Sequence, residues 1–201
     1  MKIYFVRHGQ SYVNITREFS YKLVDKPLTS KGIKQAKEVA QTLANLQIDF
    51  IYSSPMKRAL ETAHWIGTKT KNQIESIEDF RELNVGDLER HPPSDESWEQ
   101  FFEVWHAWDS GNHEKSFPEG ENYNTLLERM KNGLKLVLQS SYHTVVIVGH
   151  GGIFCQCLPA LLTNLTREDL KHKDWPNTGI IEAKLDLVNN NVQGSLISMN
   201  F

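Results

Sequence analysis

Two short apolar runs, each closing on a His-Gly pair, constrain this chain more than any other feature. Lys2 to Val6 leads into Arg7-His8-Gly9, and Thr144 to Val148 leads into Gly149-His150-Gly151. A short apolar run bounded by turn residues reads as a buried strand. A third candidate, Phe50 to Tyr52, runs into Ser53-Ser54-Pro55, where Ser54 can cap a helix and Pro55 can open it. Between these runs, Ile33, Ala36, Val39, Ala40, Leu43 and Leu46 trace one helical face, with Thr29 or Ser30 as its cap. Leu126, Leu127, Met130, Leu134, Val137 and Leu138 trace another.

Strands alternating with helices predict an α/β fold, a three-layer sandwich with a mostly parallel central sheet flanked by helices. Near the end, Ile180 to Leu187 and Val192 to Met199 flank Asn189-Asn190-Asn191, which predicts a hairpin or an antiparallel edge. Residues 83–122 differ in character. They hold Pro92-Pro93, Trp98, Phe101, Phe102, Trp105, Trp108 and Phe117 without strand-like alternation. This segment reads as a mainly helical cap inserted over one end of the sheet. The 201 residues suit one domain, 1–201.

Charge narrows the function classes. A net charge of -3 gives no electrostatic footprint for nucleic acid or an anionic membrane. No stretch reaches the roughly 20 apolar residues of a spanning helix, and Ile3 to Val6 is too brief for a signal-peptide core. Cys155 and Cys157 stand one residue apart in an apolar helical run, which favours packing over redox or metal chemistry. A cytoplasmic setting is expected.

In an open α/β sheet, ligands sit beyond the carboxyl ends of the strands. That rule brings Arg7-His8-Gly9 and His150-Gly151-Gly152 to one edge, within reach of Arg58 on the helix after Pro55. Taken singly, a histidine at a strand end is a packing residue, and the glycines are turn residues. Together, two histidines and two arginines make an anion site, since guanidinium groups match phosphate oxygens and a helix opening at Gly151-Gly152 presents N–H groups to the same anion. A metal centre fits less well: no third ligand follows at metal-site spacing, and the arginines oppose a divalent ion. No cofactor is implied.

Arg7-His8-Gly9-Gln10-Ser11 with Asn14 resembles the hallmark of the histidine phosphatase superfamily, the phosphoglycerate mutase-like fold. Pro27-Leu28-Thr29 with Gly32 and Gln35-Ala36 is similar to the same family. So are Ser53-Ser54-Pro55 with Arg58-Ala59 and Glu61-Thr62-Ala63, Arg81-Glu82-Leu83 with Gly86, and Val148-Gly149-His150-Gly151-Gly152. The resemblance runs in order over positions 1 to about 180. Pro118-Glu119-Gly120-Glu121-Asn122 and Phe154 depart from the family pattern.

The resemblance implies that His8 is a nucleophile forming a phosphohistidine, while Arg7, Arg58 and His150 neutralise the equatorial phosphate oxygens. Asn14, Ser11 and Gly151 are the implied phosphate donors, and Glu82 the general acid and base, ahead of Asp87 and Glu89. A phosphatase acting on a small phosphorylated metabolite is expected. The alternatives are a phosphoglycerate mutase-type transferase and a non-catalytic module of the same fold. Positions 83–124 hold ten Asp/Glu against two basic residues, Arg90 and Lys115, a poor cover for a bisphosphorylated sugar acid. Hydrolysis is favoured.

Overall fold

The structure, a computed structural model, describes residues 1–171 and 175–200. Four strands form the parallel part of the sheet: β1 (Lys2–Arg7), β2 (Phe50–Ser53), β3 (Ile74–Ser76) and β4 (Thr144–Gly149). β5 (Ile180–Val188) runs antiparallel to β1 and pairs with β6 (Asn191–Asn200), giving the order β3-β2-β4-β1-β5-β6. The Asn189–Asn190 turn between β5 and β6 takes positive φ at both residues, a conformation asparagine tolerates, and the expected antiparallel edge results.

The apolar runs have no polar alternation because both faces of the sheet are covered. Ile3, Phe5, Val145 and Ile147 face one core; Tyr4, Val6, Val146 and Val148 face the other. On the second side lie α2 (Ser30–Leu43) and α3 (Lys57–Thr70), through Val39, Leu43, Ala59, Ala63 and Ile66. On the first lie α5 (Tyr123–Leu138) and α6 (Gly151–Leu161), through Met130, Leu134, Ile153 and Leu158. Thr29 caps α2, its hydroxyl accepting from Gly32 N. The departure at Phe154 belongs to this packing: its ring is fully buried, 5.3 Å from both Phe5 and Trp175.

The expected start of α3 needs correction. Met56 is its cap, two residues beyond Ser54. Ser54 Oγ accepts from Met56 N at 3.3 Å, but its stronger contact is tertiary, to His150. Residues 83–122 contain a 3-10 turn, Gly86–Arg90, and α4 (Asp95–Asp109). Trp108 is fully buried with its indole N–H on Lys115 O, while Trp98, Phe101 and Trp105 are partly buried and turn toward a cavity at the sheet edge. Two short helices complete the α-helices among the described residues, α1 (Tyr12–Thr16) and α7 (Arg167–Lys171).

Candidate active site

Strand register brings the two histidines together. Arg7 pairs with Gly149 in the parallel β1–β4 ladder, so His8 and His150 leave the sheet side by side at its carboxyl edge. Their rings lie 5.2 Å apart between centroids, inclined at 62°. Ser53 pairs with Val148 in the next ladder, which delivers Ser54 to the same edge. Ser54 Oγ meets His150 Nε2 at 2.7 Å.

His8 Nδ1 lies 2.7 Å from Gly9 O. A carbonyl only accepts, so Nδ1 carries the proton and Nε2 holds the lone pair. Nε2 accepts from Arg58 Nε at 3.1 Å. Burial, then the positive charges of Arg58 and Arg7, hold the imidazole well below its usual range. Burial and the charge of Arg58 do the same to His150. Both rings are neutral at physiological pH.

The backbone around His8 is fixed from three sides. Gly9 N donates to Thr62 Oγ1, Asn177 Nδ2 donates to His8 O, and His8 N donates to Gly149 O, each at 3.0 Å. Gly9 also presses on Gly32: a Cβ on Gly9 would stand 2.6 Å from Gly32 O, and one on Gly32 would stand 1.9 Å from Gln10 O. Backbone-on-backbone approach of this kind explains both glycines.

A cavity of about 710 Å³ opens over this edge. Arg7, His8, Asn14, Arg58, Glu82 and Gly151 line it, together with Arg17 and Lys31, which the sequence did not single out. Residues from 83–122 contribute an apolar wall: Leu83, Val85, Trp98, Phe101 and Trp105. Phe19 stacks between this wall and the body, 4.6 Å from Trp98 and 5.5 Å from Phe101, and Arg17 lies over the Trp98 ring at 5.3 Å. Cys155 also lines the cavity, whereas Cys157 is buried in the core. Burial pushes the Cys155 thiol up to about 12, so it stays protonated.

Several of the expected phosphate ligands stand differently from their expected places. His150 is fully buried behind the cavity floor, with Nε2 on Ser54 Oγ, and does not line the cavity. Ser11 is fully buried and its hydroxyl donates to Asn14 Oδ1, so it braces the loop and does not line the cavity. Asn14 Oδ1 also accepts from Ser11 N at 2.9 Å, which leaves its amide nitrogen as the group able to donate into the cavity. The amides at the start of α6 are engaged by Glu82: Gly152 N donates to Oε2 at 3.1 Å and Ile153 N to Oε1 at 2.8 Å. A carboxylate is the expected occupant of a helix N-terminus, where free N–H groups and the dipole favour negative charge. Gly151 and Gly152 both line the cavity, but the Gly152 N–H is taken up by Glu82.

The segment carrying Glu82 is held by a buried ion pair that the sequence did not reveal. Arg129 donates to Glu121 at 2.8–2.9 Å, to Asp79 O and Arg81 O at 2.8 Å, and to Glu82 O at 2.8 Å. Glu121, in the segment that departs from the family pattern, accepts Asn84 N at 2.7 Å as well. Other unforeseen contributors are Ser20, Asn177 and Trp175, whose carbonyl accepts from Arg7 Nη1. Among the described residues, no group of three or more His, Cys, Asp or Glu could hold a metal ion, and no helix is long and apolar enough to cross a membrane.

With this edge in view, comparison with known proteins gives its class. Residues 3–194 match the histidine phosphatase superfamily (branch 1), and the chain belongs to that family as an enzyme of the phosphatase type. A Hydrogenobacter thermophilus protein named "Putative phosphoserine phosphatase 2" is 32% identical over 186 residues, covering 92% of this chain and 90% of its own. "Probable phosphoglycerate mutase GpmB" of Yersinia pestis is 31% identical over 207 residues, covering 92% and 93%. Among solved structures, phosphoserine phosphatase from Entamoeba histolytica, in complex with 3-phosphoglyceric acid, superposes with a TM-score of 0.75 at 24% identity, over 100% of this chain and 96% of that one. At that identity the superposition establishes the fold alone.

Proposed function

We propose that the protein is a metal-independent phosphomonoester hydrolase that works through a phosphohistidine on His8. The observation that carries this reading is the tautomer of His8. Gly9 O accepts a hydrogen bond from Nδ1–H, so an unprotonated Nε2 stands among Arg7, Arg58 and Glu82 at the floor of the cavity.

In the first step, the Nε2 lone pair attacks phosphorus. A P–N bond forms as the P–O bond to the leaving group breaks, and Glu82 in its acid form gives that oxygen a proton. Arg7, Arg58, His150, the Asn14 amide and the Gly151 region stabilise charge on the equatorial oxygens. Arg58 uses three of its five N–H groups on His8 and Ser20, so two remain for phosphate. In the second step, water attacks phosphorus, surrenders its proton to Glu82, and the P–N electron pair returns to Nε2. Inorganic phosphate leaves.

A small phosphorylated metabolite suits the cavity, its phosphate on the polar floor and its body against the wall formed by Trp98, Phe101 and Trp105. That wall supplies no cation, which favours hydrolysis. Phosphoryl transfer between sugar acids is the second reading: Arg17 and Lys31 line the cavity from the body, and a relative named as a mutase shares 31% identity. A generic aryl phosphate assayed with a chelator tests the first. Phosphate release that survives chelation and vanishes in His8→Ala supports hydrolysis; phosphoryl exchange between sugar acids with little phosphate released supports transfer.

A further inference from the structure

Glu89 is a carboxylate buried to 7% exposure on the 3-10 turn Gly86–Arg90, and it does not line the cavity. The role of an alternative acid is therefore closed to it. Asp87, the other alternative, is spent at the surface on Arg90 at 3.4 Å. What Glu89 does touch is unusual. Four consecutive backbone amides, Tyr21, Lys22, Leu23 and Val24, converge on its Oε1 at 2.6, 2.8, 2.9 and 2.9 Å. Lys22 N also reaches Oε2 at 3.1 Å. Successive N–H groups wrapped around one anion form a nest, and here the anion belongs to the protein.

The residue that opens this turn is Ser20. Its hydroxyl accepts from Arg58 Nη1 at 2.7 Å and its carbonyl from Arg58 Nη2 at 3.3 Å, while the hydroxyl donates to Val24 O and closes the turn on itself. Arg58 in turn reaches His8 Nε2 through Nε at 3.1 Å. A continuous series of bonds thus runs from the Glu89 carboxylate to the attacking nitrogen. A turn lacking regular structure holds no fixed shape by itself, because ordering each residue costs about 1–2 kcal/mol of backbone entropy. Charge-assisted bonds to a buried carboxylate offset that cost.

We propose that Glu89 is a positioning residue: through the 20–24 turn it sets the Arg58 guanidinium against His8 and the bound phosphate. This rests on the reading that His8 and Arg58 handle the phosphoryl group. The charged and titratable groups about His8 are Arg7 from β1, Arg58 from α3, His150 ahead of α6, and Glu82 across the cavity. Ser20 is bonded to Arg58 within this set, so disturbance of the turn acts on His8 through that guanidinium. Loosening Arg58 weakens one of the charges that keep the imidazole unprotonated.

A double-mutant cycle in the full chain tests the proposal, with an aryl phosphate as substrate and vanadate as inhibitor. Glu89→Gln keeps the size but loses the charge and turns an amide NH₂ toward the nest. The expected result is a fall in kcat/KM of about 10- to 100-fold, smaller than that of Arg58→Ala. Vanadate affinity should weaken, and the acid limb of the kcat/KM profile should move to higher pH. In the Arg58→Ala background, Glu89→Gln should add little further loss and no further shift, because both act through one group. Losses that multiply, or an acid limb unmoved in a folded Glu89→Gln variant, would overturn the positioning role. Ser20→Ala, which spares Glu89 and removes both the Nη1 acceptor and the bond to Val24 O, tests the link from the turn to Arg58 by the same cycle if Glu89→Gln does not fold, and additive losses there would equally overturn the proposal. Undiminished turnover in Arg58→Ala itself would instead overturn the phosphatase reading of the site, and the inference with it.

Discussion

Arg58 Nε donates to His8 Nε2 across 3.1 Å, so the lone pair that is to attack phosphorus is held by one of the cations assigned to the phosphate. Attack requires that bond to be exchanged for bonds to phosphate oxygen. The guanidinium therefore acts twice, keeping the imidazole neutral and oriented before substrate arrives and stabilising oxygen charge afterwards.

Arg58→Ala should lower kcat/KM by about 10²–10³-fold, the range for one well-placed donor to a developing charge. His8 lies well below its ordinary value of 6.5, through burial first and the Arg58 and Arg7 charges next. The acid limb of the wild-type profile should accordingly lie below pH 6.5 and move upward in the variant. Arg58→Lys should recover little, since one ammonium cannot span His8 and Ser20 with a fork of donors.

Glu82→Gln separates proton transfer from binding. Alkyl phosphates, whose leaving oxygen needs a proton, should lose about 10²–10⁴-fold in kcat. Aryl phosphates with good leaving groups should lose far less. Equal losses for both classes would remove Glu82 from the acid role.

Two buried neutral histidines make stability depend on pH with a definite sign. Below 6.5 the unfolded chain binds protons that folded His8 and His150 refuse, so stability is full above that value and falls as pH drops toward the lowered folded values. Each group contributes up to about 1.4 kcal/mol per pH unit in that window. Urea midpoints measured between pH 6.5 and 5 should decline less steeply in His150→Asn than in the wild type. Parallel declines would contradict the assignment of a buried neutral ring at position 150.

Gly32→Ala places a Cβ where Gln10 O stands, with 1.9 Å between them. Backbone on both sides leaves no flexible side chain to yield. The loop bearing His8 must shift, at a cost of roughly 1–3 kcal/mol in stability by denaturant unfolding. Turnover should fall in parallel.

Strands β1, β2, β4, β5 and β6 and the two histidines were legible because each rests on a local pattern, whereas β3 and the order of strands in the sheet were not, since three residues carry no pattern and pairing is not local. An apolar run ending at Arg7-His8-Gly9 states both a strand and what lies beyond its carboxyl end. The register of Arg7 on Gly149 then completes what the pattern implies. Ser54 was misread because cap chemistry is local and its bond to His150 is not. The amide of Gly152 was assigned to phosphate because nothing near it in sequence discloses that Glu82 reaches it and its neighbour Ile153. Ser20 and Arg129 escaped notice for the same reason: a serine in a loop and an arginine on a helix carry no mark of which carbonyls or guanidinium groups they will meet. The aromatic residues of 98–105 kept the period of a helix, but period alone does not separate core from cavity wall.

The central claim is a covalent bond between phosphorus and Nε2 of His8. Rapid quench of the protein with a phosphoryl-labelled aryl phosphate, followed by denaturation and peptide mapping, reads it directly. The expected product is label on the peptide containing His8, stable in alkali, lost in acid and missing from His8→Ala. Phosphate released at the wild-type rate with no labelled protein at any quench time, or by His8→Ala itself, would contradict it.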